Sequence, residues 1–245
     1  GRQQKNGERE RPVEPCEQGL QSLRQGGVLN DDRHGPHYLL LACPMTLPHL
    51  PLTDLSRPIT HLLYLHGFRS SPRSTKAQRM AQVMQAHPHV HWCCPQLPPS
   101  PREAAALIEQ LTQDWPDGFA VMGGFYATWL ASRRVCRVVL INPAVDPARD
   151  LAHYIGEQTH WHDPQQSFHF EPRFVHELQT LTTEGLRQPE RFLVFIAQGD
   201  EVLDWREMAA RYSAAHPVVL EGGDHALSDF DPHLPRIQSF LGLGA

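Results

Sequence analysis

Strand-like and helix-like segments alternate along the chain from residue 59 to its end, and this alternation restricts the fold more than any other feature of the sequence. Residues 59–65 form a continuous apolar run with β-branched and aromatic members, which is typical of a strand buried on both faces. Apolar residues in 74–86 recur at helical spacing. Because strands that alternate with helices are joined by right-handed crossovers, the sequence predicts an α/β fold with a mostly parallel sheet and helices on both faces.

The remaining elements follow the same rhythm, with one interruption. Ser100, Pro101 and Glu103 are suited to the N-cap, first and third positions of a helix that continues to Leu111. Residues 148–188 form an insertion between two strands that is rich in His, Gln and aromatic residues, and we expect it to cover one sheet edge as a lid segment. Within the lid segment, helices are predicted at 148–156 and 173–181. Outside it, the other predicted strands are 90–94, 119–122, 136–141, 191–197 and 218–220. The other predicted helices are 124–132 and 231–241.

The beginning of the chain has a different composition. Residues 1–36 are rich in Gln, Arg, Glu and Gly without an apolar period, which predicts disorder because too little surface can be buried to offset the ordering entropy. Residues 38–43 could form a short strand. The first Met is Met45, and counting from it leaves 245 − 44 = 201 residues. We therefore expect 45–245 to form a single domain and 1–44 to be a disordered or non-native extension.

Charge and composition argue against several classes of function. The chain has 22 Lys and Arg against 27 Asp and Glu, a formal net charge of −5, and no basic cluster that would suit nucleic acid. No apolar run approaches the roughly 20 residues of a membrane helix, and no export leader is visible. The five cysteines form no CxxC pair. We therefore expect a cytoplasmic protein with reduced thiols and without nucleic-acid or membrane partners, whose oligomeric state the sequence leaves open.

Residues that could take part in catalysis follow the first and fifth predicted strands, 59–65 and 191–197. Gly67 and Phe68 follow the first, and such a turn can aim the backbone N–H of Phe68 at an oxyanion. A plain turn that needs Gly for its backbone angles would explain them equally well. After the fifth strand, Asp204 and Glu207 have the spacing of a helix capping box, whereas Asp200 has no such structural explanation. Asp200 is therefore the better candidate to orient a catalytic His.

His225 is the candidate base that pairs with Asp200. His225 follows the sixth strand, and an acid and then a His after late strands are the last two members of the Ser-Asp-His order of α/β hydrolases. The nucleophile elbow Gly-x-Ser-x-Gly should then follow the third strand. The chain instead passes from strand to helix through Gly123 and Gly124, with no Ser, Cys or Asp between them.

These motifs resemble the small single-domain esterases of the YqiA type, which are α/β hydrolases. The resemblance implies a carboxylic-ester hydrolase that uses no cofactor and no metal, with Asp200 as acid, His225 as base, and Phe68 and Gly67 at the oxyanion hole. In that family the third strand is followed by Gly-Ser-Ser-Leu-Gly-Gly. This chain keeps Gly123 and Gly124 as a remnant and lacks about four residues between them, including the nucleophile. The stretches that carry the resemblance lie within 59–241 and are 63–68, 70–74, 95–99, 125–130, 142–145, 199–204, 221–223 and 225–226.

The missing nucleophile predicts that the chain as written is hydrolytically inactive. Removing the nucleophile of a triad costs on the order of 10⁶ in rate. With the Ser restored, His225 would take its proton, Asp200 would hold the imidazole, and the Phe68 N–H would help to bind the oxyanion in a two-step acyl transfer. The aromatic residues of the lid segment suggest small to medium, partly apolar acyl esters or their analogues as ligands; they are Tyr154, Trp161, Phe168 and Phe170.

Three other interpretations stay open. Gly123 and Gly124 at a helix N-terminus could bind a small carboxylate or phosphate beside His225, which would make the chain a non-catalytic binding protein. The segment 87–94 could bind zinc through His89, His91 and Cys93 at alternate positions, although a structural site needs four converging ligands. Finally, the gap at Gly123 could be an error of the gene model, which resequencing of the locus would test.

Overall fold

A computed structural model describes residues 57–244 with the exception of 162 and 184. The predictions for residues 1–44, including their disorder and the short strand at 38–43, lie outside the described residues. The strands are β1 (His61–Tyr64), β2 (His91–Cys93), β3 (Phe119–Gly123), β4 (Cys136–Ile141), β5 (Gly156–His160), β6 (Asp163–Phe170), β7 (Phe192–Ala197) and β8 (His216–Leu220). The α-helices are α1 (Thr75–Gln85), α2 (Pro101–Thr112), α3 (Phe125–Ala131), α4 (Pro147–Leu151), α5 (Pro172–Thr180), α6 (Trp205–Arg211) and α7 (Leu234–Leu241).

The predicted α/β fold is confirmed. Six strands form one sheet in the order β2-β1-β3-β4-β7-β8, and every neighbouring pair in it is parallel. The central strands β1, β3, β4 and β7 are almost entirely buried, as the continuous apolar runs predict, whereas the edge strands β2 and β8 are partly exposed. Helices α2, α3 and α6 pack on one face, and α1 and α7 pack on the other. The predicted strand 136–141 coincides with β4.

Local capping explains where several helices begin. Ser74 caps α1 by accepting a hydrogen bond from the Ala77 N–H, and Ser100 caps α2 by accepting from the Glu103 N–H. Asp204 caps α6 by accepting from the Arg206 N–H. The predicted capping box at Asp204 is not closed, because the Glu207 carboxylate pairs instead with Arg149 of α4 at 2.6 Å.

The C-terminal helix begins later than predicted. Residues Asp231–His233 form a single 3₁₀ turn, and α7 starts at Leu234. A Pro in this turn is compatible with the start of either helix type, so the sequence did not distinguish the two.

The lid segment contains a β-hairpin that the sequence reasoning missed. The predicted helix over 148–156 is wrong in its second half, because α4 ends at Leu151 and β5 begins at Gly156 after a short 3₁₀ turn. Strands β5 and β6 pair antiparallel, with Gln158 opposite Phe168 and a register shift after Thr159. The predicted helix over 173–181 is confirmed as α5. Among the described residues, no helix is both long and apolar enough to cross a membrane.

Candidate active site

The carboxyl ends of four adjacent parallel strands bring the candidate site residues to one sheet edge. Strands β3, β4, β7 and β8 are neighbours in that order, so the segments that follow them meet on the same side of the sheet. These segments carry Gly124, Asn142, Asp200 and His225. Ligands of parallel α/β sheets bind at such an edge.

Asp200 and His225, which the sequence predicts to act together, are hydrogen-bonded. The Asp200 Oδ2 atom lies 2.8 Å from the His225 Nδ1 atom, and the Asp200 side chain is 0% exposed whereas that of His225 is 39% exposed. The other carboxylate oxygen, Oδ1, accepts hydrogen bonds from the backbone N–H groups of Val202 and Leu203 at 2.9 and 2.8 Å. Because a carboxylate accepts from Nδ1–H, this bond favours the imidazole tautomer whose Nε2 lone pair can act as a base.

The segments that carry Asp200 and His225 pack backbone against backbone. The Gly199 N–H donates to the Gly222 carbonyl at 2.8 Å. A Cβ atom on Gly199 would lie 2.3 Å from the Gly223 carbonyl oxygen, so only glycine permits this approach. Gly222 and Gly223 also adopt φ angles of 70° and 73°, in the left-handed region that favours glycine. The glycines beside the two site residues therefore allow the loops to meet.

The connection from β3 to α3 consists of glycine alone. Gly123 ends β3, and Gly124 is the N-cap of the seven-residue helix α3, whose first turn bonds back to the Gly124 carbonyl through the Ala127 and Thr128 N–H groups. A Cβ atom on Gly123 would lie 2.6 Å from the Leu65 carbonyl oxygen. The connection at which an α/β hydrolase presents its nucleophile therefore carries no hydroxyl, thiol or carboxylate in this chain.

The turn after β1 is organised around a buried neutral histidine. The Leu97 N–H donates to His66 Nε2 at 3.0 Å, and the Nδ1 atom lies 3.1 Å from the Gly67 carbonyl oxygen. An Nε2 atom that accepts must be unprotonated, so Nδ1 carries the hydrogen and donates to Gly67. Burial lowers the pKa of His66 from 6.5 to about 4, which keeps the ring neutral near pH 7. The Gly67 carbonyl also accepts from the Ser70 N–H at 3.2 Å.

The lid segment is docked on this turn through Phe68 and Arg69. The Phe68 ring lies 5.1–5.9 Å from the rings of Tyr154, Phe168 and Phe170, centroid to centroid. These three aromatic residues of the lid segment therefore pack on the candidate oxyanion residue itself. The fourth, Trp161, is 64% exposed, and the Arg69 guanidinium lies 4.1 Å from its ring centroid.

The candidate zinc ligands do not form a grouped site among the described residues. Strand β2 spans only His91–Cys93, so His89 precedes it. Cys93 is fully buried, whereas His91 is exposed and its ring contacts those of His61 and Trp115. Across residues 57–244 without 162 and 184, no three His, Cys, Asp or Glu side chains are grouped closely enough to hold a metal ion.

The family described as "Uncharacterised protein family (UPF0227)" matches residues 61–242. The chain belongs to the UPF0227 family. A UPF0227 protein from Yersinia pseudotuberculosis is 22% identical over 194 residues, which cover 75% of this chain and 99% of that protein. A UPF0227 protein from Yersinia pestis matches with the same values. The predicted resemblance to the YqiA-type family is thereby confirmed.

Solved structures place this UPF0227 chain among the α/β hydrolases by fold. Alpha/beta hydrolase domain-containing protein 10 from mouse has a TM-score of 0.57 at 13% identity, with coverage of 75% of this chain and 90% of that chain. Est1E from Butyrivibrio proteoclasticus has a TM-score of 0.52 at 12% identity, with coverage of 76% and 87%. At these identities the likeness concerns the fold alone.

Proposed function

We propose that this chain keeps the acid and the base of a carboxylic-ester hydrolase but does not itself turn over esters. The observation that carries the proposal is the 2.8 Å bond from His225 to the fully buried carboxylate of Asp200, beside a β3–α3 connection made of two glycines. Membership of the UPF0227 family and the α/β-hydrolase fold support the assignment.

The chemistry of an intact site explains what the chain lacks. His225 Nε2 would remove the proton of a serine hydroxyl, and Asp200 would stabilise the imidazolium that forms. The Phe68 N–H would donate to the oxyanion, and water would then release the acyl group. In this chain the base has no hydroxyl at the β3–α3 connection to deprotonate. Loss of a triad nucleophile costs on the order of 10⁶ in rate, so turnover should fall to the background of the buffer.

Restoring the elbow is the direct experiment. We would insert Ser-Ser-Leu-Gly between Gly123 and Gly124, which recreates Gly-Ser-Ser-Leu-Gly-Gly, and assay both proteins with p-nitrophenyl butyrate. The matched control inserts Ser-Ala-Leu-Gly, which has the same length and lacks the nucleophile. A structure of Est1E with ferulic acid bound supports methyl ferulate as a second substrate. We expect the protein with the Ser-Ser-Leu-Gly insertion, called the Ser-insertion protein below, to hydrolyse the ester and the Ser-Ala-Leu-Gly control to be inactive. Adding His225→Ala to the Ser-insertion protein should abolish the hydrolysis.

Two results would contradict the proposal. Hydrolysis by the unmodified chain that disappears in His225→Ala would mean that the site has another nucleophile or activates water directly. A Ser insertion that folds, as judged by circular dichroism and a cooperative thermal transition, yet hydrolyses neither ester would remove the assignment to carboxylic esters.

A further inference from the structure

The loop that carries His225 is held by side chains from three other parts of the chain. The Asn142 Nδ2 group donates to the carbonyls of Asp224 and His225, both at 3.0 Å. The next carbonyl, that of Ala226, accepts from the ammonium group of Lys76 in α1. The Glu201 carboxylate accepts from the His225 N–H at 3.0 Å. Three consecutive backbone carbonyls of this loop are thus bonded to side chains rather than to a regular strand or helix.

Asn142 differs from Lys76 and Glu201 because its side chain is buried and also bonds to the strand that leads to Asp200. It directly follows β4 and is 3% exposed. Its Oδ1 atom accepts from the N–H of Ala197, the last residue of β7, at 2.8 Å, and its own N–H donates to the Phe195 carbonyl at 2.9 Å. The side-chain amide therefore ties the end of β7 to the His225 loop. Hydrogen bonds in a buried setting of low dielectric hold geometry more firmly than exposed ones.

The backbone at Asn142 is adapted to this role. Its φ angle is 41°, in the left-handed region that few residues other than glycine and asparagine adopt readily. Glycine would accept that backbone but would provide no amide. Both hydrogens of the Asn142 Nδ2 group and its Oδ1 atom are used, so the residue is suited by conformation and by hydrogen bonding at once.

We propose that Asn142 is a positioning residue that sets the His225 imidazole against the Asp200 carboxylate. The inference rests on the proposed function for the meaning of that pair and adds the group that assembles it. Asp200 lies three residues beyond Ala197, and His225 lies on the loop whose carbonyls Asn142 binds. Loss of the amide removes three side-chain hydrogen bonds that join the end of β7 to the His225 loop, while the Gly199–Gly222 backbone bond remains, so the imidazole should lose its fixed orientation without separation of the two loops.

The test reads the tautomer of His225 in the unmodified site. At pH 8, long-range ¹H–¹⁵N spectra distinguish an imidazole that carries its hydrogen on Nδ1 from one that carries it on Nε2. We expect the Nδ1–H form in the native chain and a mixture in both Asn142→Gly and Asn142→Asp. The first variant keeps the backbone conformation, and the second keeps the acceptor for Ala197 but turns an oxygen toward the two carbonyls. Gln188→Gly is the matched control, because Gln188 has a φ angle of 52° and precedes the 3₁₀ turn Pro189–Arg191, which leads into the end of β7 that is opposite the site.

A second readout comes from the Ser-insertion protein. Misplacement of a catalytic group by about 1 Å can cost about 10²-fold, so Asn142→Gly in that background should lower kcat by about tenfold to a hundredfold with little change in KM. A change confined to thermal stability, with kcat and the tautomer unaltered, would overturn the proposal. If the Ser insertion is inactive while the tautomer changes in the Asn142 variants, the proposed function fails and the positioning role stands.

A third readout needs no substitution. In the native chain both side-chain amide hydrogens of Asn142 should exchange slowly with solvent, because each is buried in a hydrogen bond. Free exchange of these hydrogens would overturn the positioning role.

Discussion

The stability of the fold should depend on pH through His66. The ring is buried, and its Nε2 atom accepts from the Leu97 N–H. Burial lowers the pKa of His66 from 6.5 in an exposed ring to about 4 in the fold. Between pH 6.5 and pH 4, His66 is therefore protonated in the unfolded chain and neutral in the folded chain. Because the unfolded chain binds the additional proton, the free energy of unfolding falls as the pH is lowered from 6.5 toward 4. Below about 4 both states are protonated and this contribution no longer changes.

The size of the effect follows from the difference between the two pKa values. A difference of 6.5 − 4 = 2.5 pKa units corresponds to about 3–4 kcal/mol, at about 1.4 kcal/mol for each unit, of which about 3 kcal/mol is lost by pH 4. A protonated Nε2 would also leave the Leu97 N–H without its acceptor, which acts in the same direction.

The assay compares the native chain with His66→Gln by urea unfolding at several pH values from 4 to 7.5. Glutamine can still offer an acceptor to the Leu97 N–H but does not titrate. Carboxylates and the other histidines titrate in both proteins, so their contributions cancel in the difference. We expect the native chain to be the more stable at pH 7.5 and to lose about 3 kcal/mol relative to the variant by pH 4. Curves that stay parallel over this range would refute the reasoning.

Three further predictions concern packing, the lid segment and the thiols. Gly123→Ala should lower the free energy of unfolding by about 1–3 kcal/mol in urea titrations, since the added Cβ would lie 2.6 Å from the Leu65 carbonyl oxygen. In Gly67→Ala, the control, the added Cβ would have no atom within 4 Å, so the free energy of unfolding should change little. Glu177→Gln should destabilise the fold by about 1–3 kcal/mol and speed proteolysis of the lid segment, because the buried Glu177 carboxylate accepts two hydrogen bonds at the N-terminus of α2. An unchanged rate of proteolysis would contradict this prediction. Burial raises the pKa of the Cys94 and Cys136 thiols to about 12, so iodoacetamide at pH 8 should label both only after unfolding, as mass spectrometry of peptides would report.

Elements that the sequence predicts well are those whose burial is visible in consecutive residues. The run at 136–141 is apolar except for Arg137 and coincides with β4, since a central parallel strand is buried on both faces and shows as a nearly continuous apolar stretch. The hairpin of β5 and β6 was missed for the opposite reason. Its residues are mostly polar, and it is held by distant contacts such as the Arg69 side chain bonded to Thr159 at 2.8 Å. Contacts between residues 90 positions apart cannot be read from local patterns.

The candidate site shows the same division between local and distant information. Capping logic separated Asp204, which is the N-cap of α6, from Asp200, which bonds His225. That choice used only neighbours in sequence. The sequence alone does not identify Asn142 as a site residue, because its three side-chain bonds reach residues more than 50 positions away. The available signal was weak: a polar residue of a type that tolerates the left-handed region, directly after a buried strand.

The arrangement of the strands explains how the proposed acid–base pair can form without a nucleophile at the β3–α3 connection. Asp200 and His225 follow β7 and β8, and their loops are joined by the Gly199–Gly222 bond and by Asn142. The nucleophile elbow of an α/β hydrolase belongs to a different connection, the one between β3 and α3, and none of the bonds that join the two loops involves that connection. Under the proposed function, a β3–α3 connection made of Gly123 and Gly124 lacks the nucleophile but leaves in place the described bonds that join the two loops. We therefore expect the Asp200–His225 geometry to be the same with or without a nucleophile, and ester hydrolysis to depend on the residues between β3 and α3.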